Sequence, residues 1–300
     1  MAKVSVIIAV HNGAATIGRA LESVFAQTFT DYEIVVVNDG STDDTAAVLA
    51  GYGDRIRVIN TTNSGASTAR NVGVRASSGE YLAFLDDDDE WMPQKLERSV
   101  PILDADPGCV LVYTLGLKVD KQGRTVGSLD GQATGSESPT VKEMLERPWN
   151  VVPSQFVVRR DVFERCGGFY VIACEDRYFL LQAREHGYFR CVREPLLRKT
   201  PRPLYPTILD REARHNGFIR LVRERYGASA EGLVTGMVRS RIEILKHVAR
   251  VLMKEGRMVE ARRCLARVIY YEPTSPRAYR KYLKTFLPTR LSPRPGARQA

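Results

Sequence analysis

Five consecutive acidic residues, Asp86-Asp87-Asp88-Asp89-Glu90, are the densest chemistry in this chain of 300 residues. Adjacent carboxylates repel one another, so a cleft that holds them needs offsetting charge. Hard divalent cations with phosphate oxygens are their usual company. A solvated acidic loop is the plain alternative, and what precedes the run decides between the two. Tyr81–Leu85 is an unbroken apolar stretch of the kind that forms a strand covered on both faces. In open α/β sheets, ligands bind just beyond the carboxyl ends of such strands. Asp39 follows a second stretch of this kind, Glu33–Val37, and Glu175-Asp176 heads a helical segment after Gly167-Gly168-Phe169.

These acids need a frame. Val4–Val10 reads as a strand, Asn12-Gly13 as a turn, and Ala14–Gln27 as a helix with Ile17, Leu21, Val24 and Phe25 on one stripe. After Glu33–Val37, Ser41 with Asp44 three residues on has the form of a capping box. Arg57–Asn60 is a third strand, Ser64–Ala76 an alanine-rich helix, and Pro93 suits the first turn of a helix carrying Leu96, Val100 and Leu103. Such alternation predicts an α/β fold, a mostly parallel sheet flanked by helices. From Cys109 the pattern loosens: strands at Val110–Val119, Gln155–Arg159 and Tyr188–Val192, a loop or hairpin over Gly123–Pro139, and a helix over Glu175–Glu185. The last third is helical. Ile242, Leu245, Val248 and Leu252 stripe one helix, Gly256 turns the chain, and Met258, Ala261, Leu265, Val268 and Ile269 stripe the next. One such tetratricopeptide-like pair cannot build a solenoid. The expected division is 1–105, 106–200, a helical 201–289 and a disordered tail from 290.

With 44% hydrophobic and 26% charged residues the chain can bury a core. No run approaches the roughly 20 apolar residues of a membrane span. The apolar start is too short for a secretory leader, so a cytoplasmic location is expected. Five scattered cysteines without a CxxC pattern support neither a disulfide framework nor a zinc site. Residues 201–300 carry a surplus of 14 positive charges against +9 overall, leaving −5 on residues 1–200. That basic third fits an anionic membrane surface or a phosphate-bearing acceptor, and equally a solvated helical face. Nucleic acid ranks last, because aromatics are not interleaved on a platform.

Several of these segments together resemble the family 2 glycosyltransferases of the GT-A fold: Val4-Ser5-Val6-Ile7-Ile8, Val35 through Asp43, Ala69-Arg70-Asn71-Val72-Gly73, Gly79 through Asp89, and Gly167-Gly168-Phe169 followed by Glu175-Asp176. The resemblance is dense over residues 4–100 and thins toward 197. It implies a Rossmann-like GT-A domain, ahead of the all-helical C-terminal extension read from the stripes. It also implies inverting transfer of a sugar from a nucleotide-diphosphate donor, most simply a UDP-sugar, to a hydroxyl of a glycan or lipid-linked acceptor. Carried over residue by residue, Ala9, His11, Asn12, Asp39, Arg70, Asp86 and Asp87 fall to the nucleotide-sugar, with Asp39 on the base and Asp86 on the ribose or the outer shell of the metal. Asp88 would hold the divalent cation, Mn²⁺ or Mg²⁺, and Asp176 would be the general base. Asp87 and Asp89 would face outward or back up their neighbours.

Two departures from the family pattern matter. Ala9-Val10-His11-Asn12 stands where Pro-x-aromatic-Asn is common, which puts a titratable ring at the base. Lys199-Thr200-Pro201-Arg202 stands where a histidine is often supplied. There Lys199 or Arg202 is expected to neutralise charge and make the cation less essential. Two rivals remain: a catalytically silent adaptor docking through residues 240–286, and a sugar nucleotidyltransferase. The loop His11–Ala15, with no lysine or arginine, argues against the second.

Overall fold

Apolar runs broken by turn residues set the frame. β1 (Val4–Val10), β2 (Tyr32–Asp39), β3 (Arg57–Thr61) and β4 (Tyr81–Asp86) alternate with α1 (Ile17–Phe25), α2 (Thr45–Ala50) and α3 (Ala66–Arg75). The computed structural model describes residues 2–120, 122–130, 136–146, 151–200 and 212–286. The four strands pair in parallel in the order β3-β2-β1-β4. Ala9 lies opposite both Val37 and Asp86, and Asp39 lies opposite Thr61. The strands therefore end level, and the residues that follow them share one rim.

The chain continues through β5 (Asp89–Trp91), α4 (Lys95–Ala105), β6 (Cys109–Val119), β7 (Thr125–Leu129), α5 (Val141–Glu146) and a 3₁₀ turn at Pro153–Gln155. It then forms β8 (Phe156–Arg159), α6 (Arg160–Arg165), α7 (Glu175–Ala183) and β9 (Tyr188–Lys199). β8 adds antiparallel to β4, followed in space by β6, β9 and β5. The sheet is thus parallel in its first half and mixed in its second, where β6 is antiparallel to β8 and parallel to β9. β9 runs well past the expected Tyr188–Val192, because its pairing with β6 continues through an irregularity to Lys199.

Period-two alternation sorts the core. Val4, Val6, Ile8 and Val10 of β1, with Tyr81, Ala83 and Leu85 of β4, pack with Leu21, Val24, Leu96 and Val100 in one buried cluster. The intervening residues face the other side. There Gly73 lets α3 approach so closely that a Cβ would stand 2.5 Å from Ile7, and Phe84 joins Phe156, Phe163, Phe169 and Phe179 in an aromatic cluster. Burial on both faces explains the continuous apolar reading of β1, β2 and β4. The expected capping box does not form. Ser41 Oγ instead accepts the Asn12 N–H at 2.9 Å, and α2 begins at Thr45.

By compactness the chain divides into Met1–Arg202 with Ala213–Leu233, and Pro203–Glu212 with Val234–Ala300. α8 (Glu212–Tyr226) is followed by α9 (Glu231–Lys254), α10 (Met258–Tyr271) and α11 (Pro276–Lys284). Ile242, Leu245, Val248 and Leu252 are buried against Ala261, Leu265 and Val268, as their spacing predicts. Gly256 makes the turn at φ 76°. No described helix is long and apolar enough to cross a membrane. Arg202 and the tail from residue 290 lie outside the described residues.

Candidate active site

The rim begins with two loops laced together. Asn12 takes a left-handed conformation, φ 54°, which turns its side chain so that Oδ1 accepts the Thr42 N–H at 2.8 Å. Gly13 N–H donates to Thr45 Oγ1 at 3.0 Å, and Ala14 N–H to Asp43 at 3.1 Å. His11 Nδ1 sits 2.8 Å from the Asp39 carbonyl, and its Nε2 faces the side-chain amides of Asn12 and Asn63 at 3.3 and 3.2 Å. A carbonyl only accepts, so Nδ1 carries the proton and Nε2 receives the amides. The ring is pinned rather than loose.

Asp39 ends β2 buried. Its Oδ1 accepts from Thr61 Oγ1, Ser64 N–H and Ser64 Oγ at 3.0, 2.9 and 3.0 Å, and its Oδ2 from Gly65 N–H at 2.8 Å. Burial pushes this carboxyl up, but the Ser64 and Gly65 N–H groups outweigh it and hold the pKa below the ordinary value. Asp39 therefore anchors the start of α3 as a carboxylate. Oδ2, with a single bond, keeps acceptor capacity toward a ligand.

β4 delivers the acids. Asp86 ends the strand, Asp87 and Asp88 turn, and Asp89 opens β5. Asp87 turns under the first loop: Thr16 Oγ1 donates to it at 3.3 Å, and a Cβ on Gly13 would stand 2.5 Å from its Oδ2. A side chain at Gly13 would have to displace the Asp87 carboxylate and the Val10 side chain. Of the two expectations for Asp89, facing outward or backing up its neighbours, the first does not hold. The residue is fully buried, because β5 pairs antiparallel with the end of β9 and sets Asp89 opposite Lys199. Lys199 Nζ donates to Asp89 at 2.8 Å and to Asp86 at 3.1 Å. Ser154 Oγ accepts the Asp86 N–H and donates to Asp89 Oδ2 at 2.7 Å. Burial, then the Asp86 charge, push the Asp89 carboxyl well above the usual range, with Lys199 opposing. Asp89 Oδ1 is buried and has no hydrogen-bond partner among the described residues.

Carboxylate oxygens of Asp86, Asp88 and Asp89 lie within 4.8 Å of one another. An all-oxygen donor set with one orphaned buried oxygen suits a hard divalent cation. The sequence pointed to Asp88 and, in an outer role, Asp86; Asp89 was not in that group.

Arg70 joins this acid turn to the second half of the site. It is buried on α3 and donates to Asp86 at 2.6 Å and to Glu175 at 3.1 Å. Its neighbour Asn71 bonds both backbone groups of Phe169, donating to the carbonyl at 2.7 Å and accepting the N–H at 2.9 Å. A Cβ on Gly168 would stand 2.7 Å from Asn71 Oδ1, so the glycine turn and the asparagine are fitted to each other. Beyond that turn Cys174 adopts φ 58°, a strained value for a non-glycine residue. It starts α7 with Glu175 and Asp176 in the first turn. Asp176 Oδ1 accepts the Arg177 N–H at 2.8 Å. Burial, then the Glu175 charge, push its pKa up to about 6, against the lowering influence of that N–H and Arg70.

A buried platform supports the acids from below. Trp91 Nε1–H donates to the Ser154 carbonyl at 2.8 Å, and Lys95 Nζ donates to the Gln155 carbonyl at 2.8 Å and Thr114 Oγ1 at 3.2 Å. Burial lowers the Lys95 pKa to about 7. Sequence reading missed Ser154 and Lys95. Lys95 sits one residue before the apolar stripe of α4, where a charged residue reads as surface, and Ser154 carries no local signal.

The model of glycosyl transferase family 2 matches residues 5–167, just over half the chain. The chain belongs to glycosyl transferase family 2. An uncharacterized glycosyltransferase of Nostoc sp. is 36% identical over 170 residues, covering 54% of this chain and 52% of that protein. One from Haemophilus influenzae is 30% identical over 197 residues, covering 64% and 66%. The chain spans about half the length of the first of these curated relatives. Among solved structures, S. aureus TarS residues 1–349 in complex with UDP-GlcNAc superposes with a TM-score of 0.63 at 19% identity, covering 95% of this chain and 89% of that one. This likeness agrees with the GT-A fold expected from the motifs. Asp176 lies beyond the matched span of the family model.

Replacing Asn71 by alanine strips both partners from Phe169 and should cost about 1–3 kcal/mol, read as a lower urea midpoint. An unchanged midpoint would mean that this tie does not hold the glycine turn.

Proposed function

We propose that the protein is an inverting glycosyltransferase that moves a sugar from a nucleotide-diphosphate donor to a hydroxyl of a glycan or lipid-linked acceptor. One observation carries the reading: the level strand ends and Arg70 gather Asp39, the acids of the β4–β5 turn and Glu175-Asp176 into one connected rim. Uridine is the nucleotide we favour, because the superposed S. aureus TarS structure is a complex with UDP-GlcNAc, and because Asp39 Oδ2 retains a lone pair suited to an imide N–H. Asn12 and the pinned His11 ring would border that base, and the Ala9 backbone would lie beside it at the end of β1.

Asp88 with Asp86 and Asp89 would hold Mn²⁺ or Mg²⁺. When bound, such a cation supplies Lewis-acid stabilisation of the departing diphosphate. Lys199 brings a second positive charge to the same carboxylates. Arg70 fixes Asp86 and Glu175 and keeps their carboxylates from drifting apart. Asp176 is the base: its carboxylate takes the proton of the acceptor hydroxyl as the oxygen attacks the anomeric carbon, and the bond to the diphosphate oxygen breaks. Attack opposite the leaving group inverts the anomeric configuration.

A pKa raised to about 6 has a direct kinetic consequence. The base works deprotonated, so kcat/KM for transfer should rise tenfold per pH unit below about pH 6 and level off above it. Asp176→Asn should lower transfer by about 10²–10⁴-fold while UDP binding by calorimetry stays within about twofold. Normal turnover in that variant removes the base assignment.

Lys199→Met tests how the acids share positive charge. Without the ammonium, Asp86 and Asp89 repel each other and should recruit a divalent ion more strongly. At pH 8 the variant should bind Mn²⁺ about tenfold more tightly and become more dependent on it for transfer, on the order of 1.4 kcal/mol in the metal equilibrium. Equal Mn²⁺ affinity in the two proteins would show that Lys199 does not compete for these carboxylates.

A further inference from the structure

In the second unit, a groove of about 360 Å³ opens between α9 and α11. Arg250 and Lys254 border it from α9, Lys281 and Lys284 from α11, and Val251 and Met253 give it an apolar wall, with His247 beside them. Among the described residues, no acid lines it. The described acids of this unit are spent elsewhere: Glu243 and Glu272 pair with Lys246, and Glu255 and Glu260 with Arg257. Among the described residues none of the four bordering cations makes an ion pair.

α11 carries the same chemistry around its surface. Arg277, Arg280, Lys281 and Lys284 fall at i, i+3, i+4 and i+7, one cationic stripe along the helix. Across the exposed face from it, Tyr279 and Leu283 at i and i+4 are 44 and 64% exposed, and Phe286, 55% exposed, follows in the turn after the helix. Large apolar side chains this open, next to a continuous cationic stripe, are what a helix lying in a membrane interface presents. Lysine stems can follow the apolar boundary while their ammonium groups reach phosphates.

We propose that the α9–α11 groove and the exposed face of α11 form a docking surface for an anionic lipid bilayer, with headgroup phosphates between Arg250, Lys254, Lys281 and Lys284 and the Tyr279, Leu283 and Phe286 side chains entering the interface. The assignment does not depend on the glycosyltransferase reading and is tested without any transfer assay.

The test is vesicle flotation of the full chain at about 0.1 M salt, comparing phosphatidylcholine vesicles with vesicles containing 30% phosphatidylglycerol. Each cation near an anionic surface contributes about fivefold in partitioning. Lys281→Gln/Lys284→Gln should therefore bind the anionic vesicles about 25-fold less well. Leu283→Gln/Phe286→Gln should lose the binding that survives at 0.5 M salt. A control pair on other exposed positions, Arg239→Gln/Arg263→Gln, should lose at most a fewfold, and circular dichroism of all variants should match the parent. Three results would overturn the proposal. The first is no preference for anionic vesicles. The second is an equal loss in the control pair, which would make the attraction a diffuse property of the basic third. The third is absence of vesicle binding together with concentration-dependent dimers in sedimentation that Leu283→Gln/Phe286→Gln abolishes, which would make the face a contact between copies.

Discussion

A single buried guanidinium holds the candidate site together. Arg70 reaches the acid turn after β4 with one nitrogen and the start of α7 with another, though Asp86 and Glu175 are 89 positions apart in the sequence. Burying a guanidinium is unfavourable unless its donors are matched, and its planar fork matches two carboxylates better than an ammonium would. Burial works against its charge; Asp86 and then Glu175 outweigh that and keep it ionised. Asn71, one residue on, locks the Phe169 backbone. Two adjacent residues of α3 thereby fix the distance between the part of the rim that would hold the donor and the part that would activate the acceptor.

Charge balance governs the rest. Among the described residues, Arg70 pairs with Asp86 and Glu175, and Lys199 pairs with Asp86 and Asp89. Burial, and then the neighbouring carboxylates, raise the Asp89 and Asp176 pKa values, and a divalent cation would offset the negative charge gathered at the β4–β5 turn. Lys199 is placed by strand pairing rather than by its local sequence: β5 and β9 run antiparallel, and Lys199 stands across from Asp89. Of the two cations expected where the family often supplies a histidine, Lys199 contacts two of the three carboxylates, and Arg202 lies outside the described residues.

Much of the frame was legible. β1, β2 and β4 are continuous apolar runs because both faces of the sheet are covered, and level registers follow from parallel pairing of strands of similar length. Asp39 and Asp86 were found because they directly end such runs. Local sequence leaves Asp89 between facing outward and backing up its neighbours, because its environment comes from β9 and Ser154, 110 and 65 positions away along the chain. Ser41 was read as a helix cap because the spacing allowed it, yet the neighbouring loop supplied a competing donor in Asn12. Lys95 carries no local signal, and the packing of α4 on β6 and the Pro153–Gln155 turn gives its side chain two buried acceptors. What local pattern cannot carry is partnership between distant segments, and that is where most of the polar chemistry of this site resides. The helical stripes of α9 and α10 show the converse: spacing of 3.6 residues names their buried faces outright.

The most direct test of this account is a double-mutant cycle on Arg70→Met and Glu175→Gln, read by urea denaturation. If Arg70 joins the two halves of the rim, the pair should show a coupling energy of about 1–3 kcal/mol. Additivity within about 0.5 kcal/mol would contradict it, leaving the acid turn and the start of α7 as independent parts.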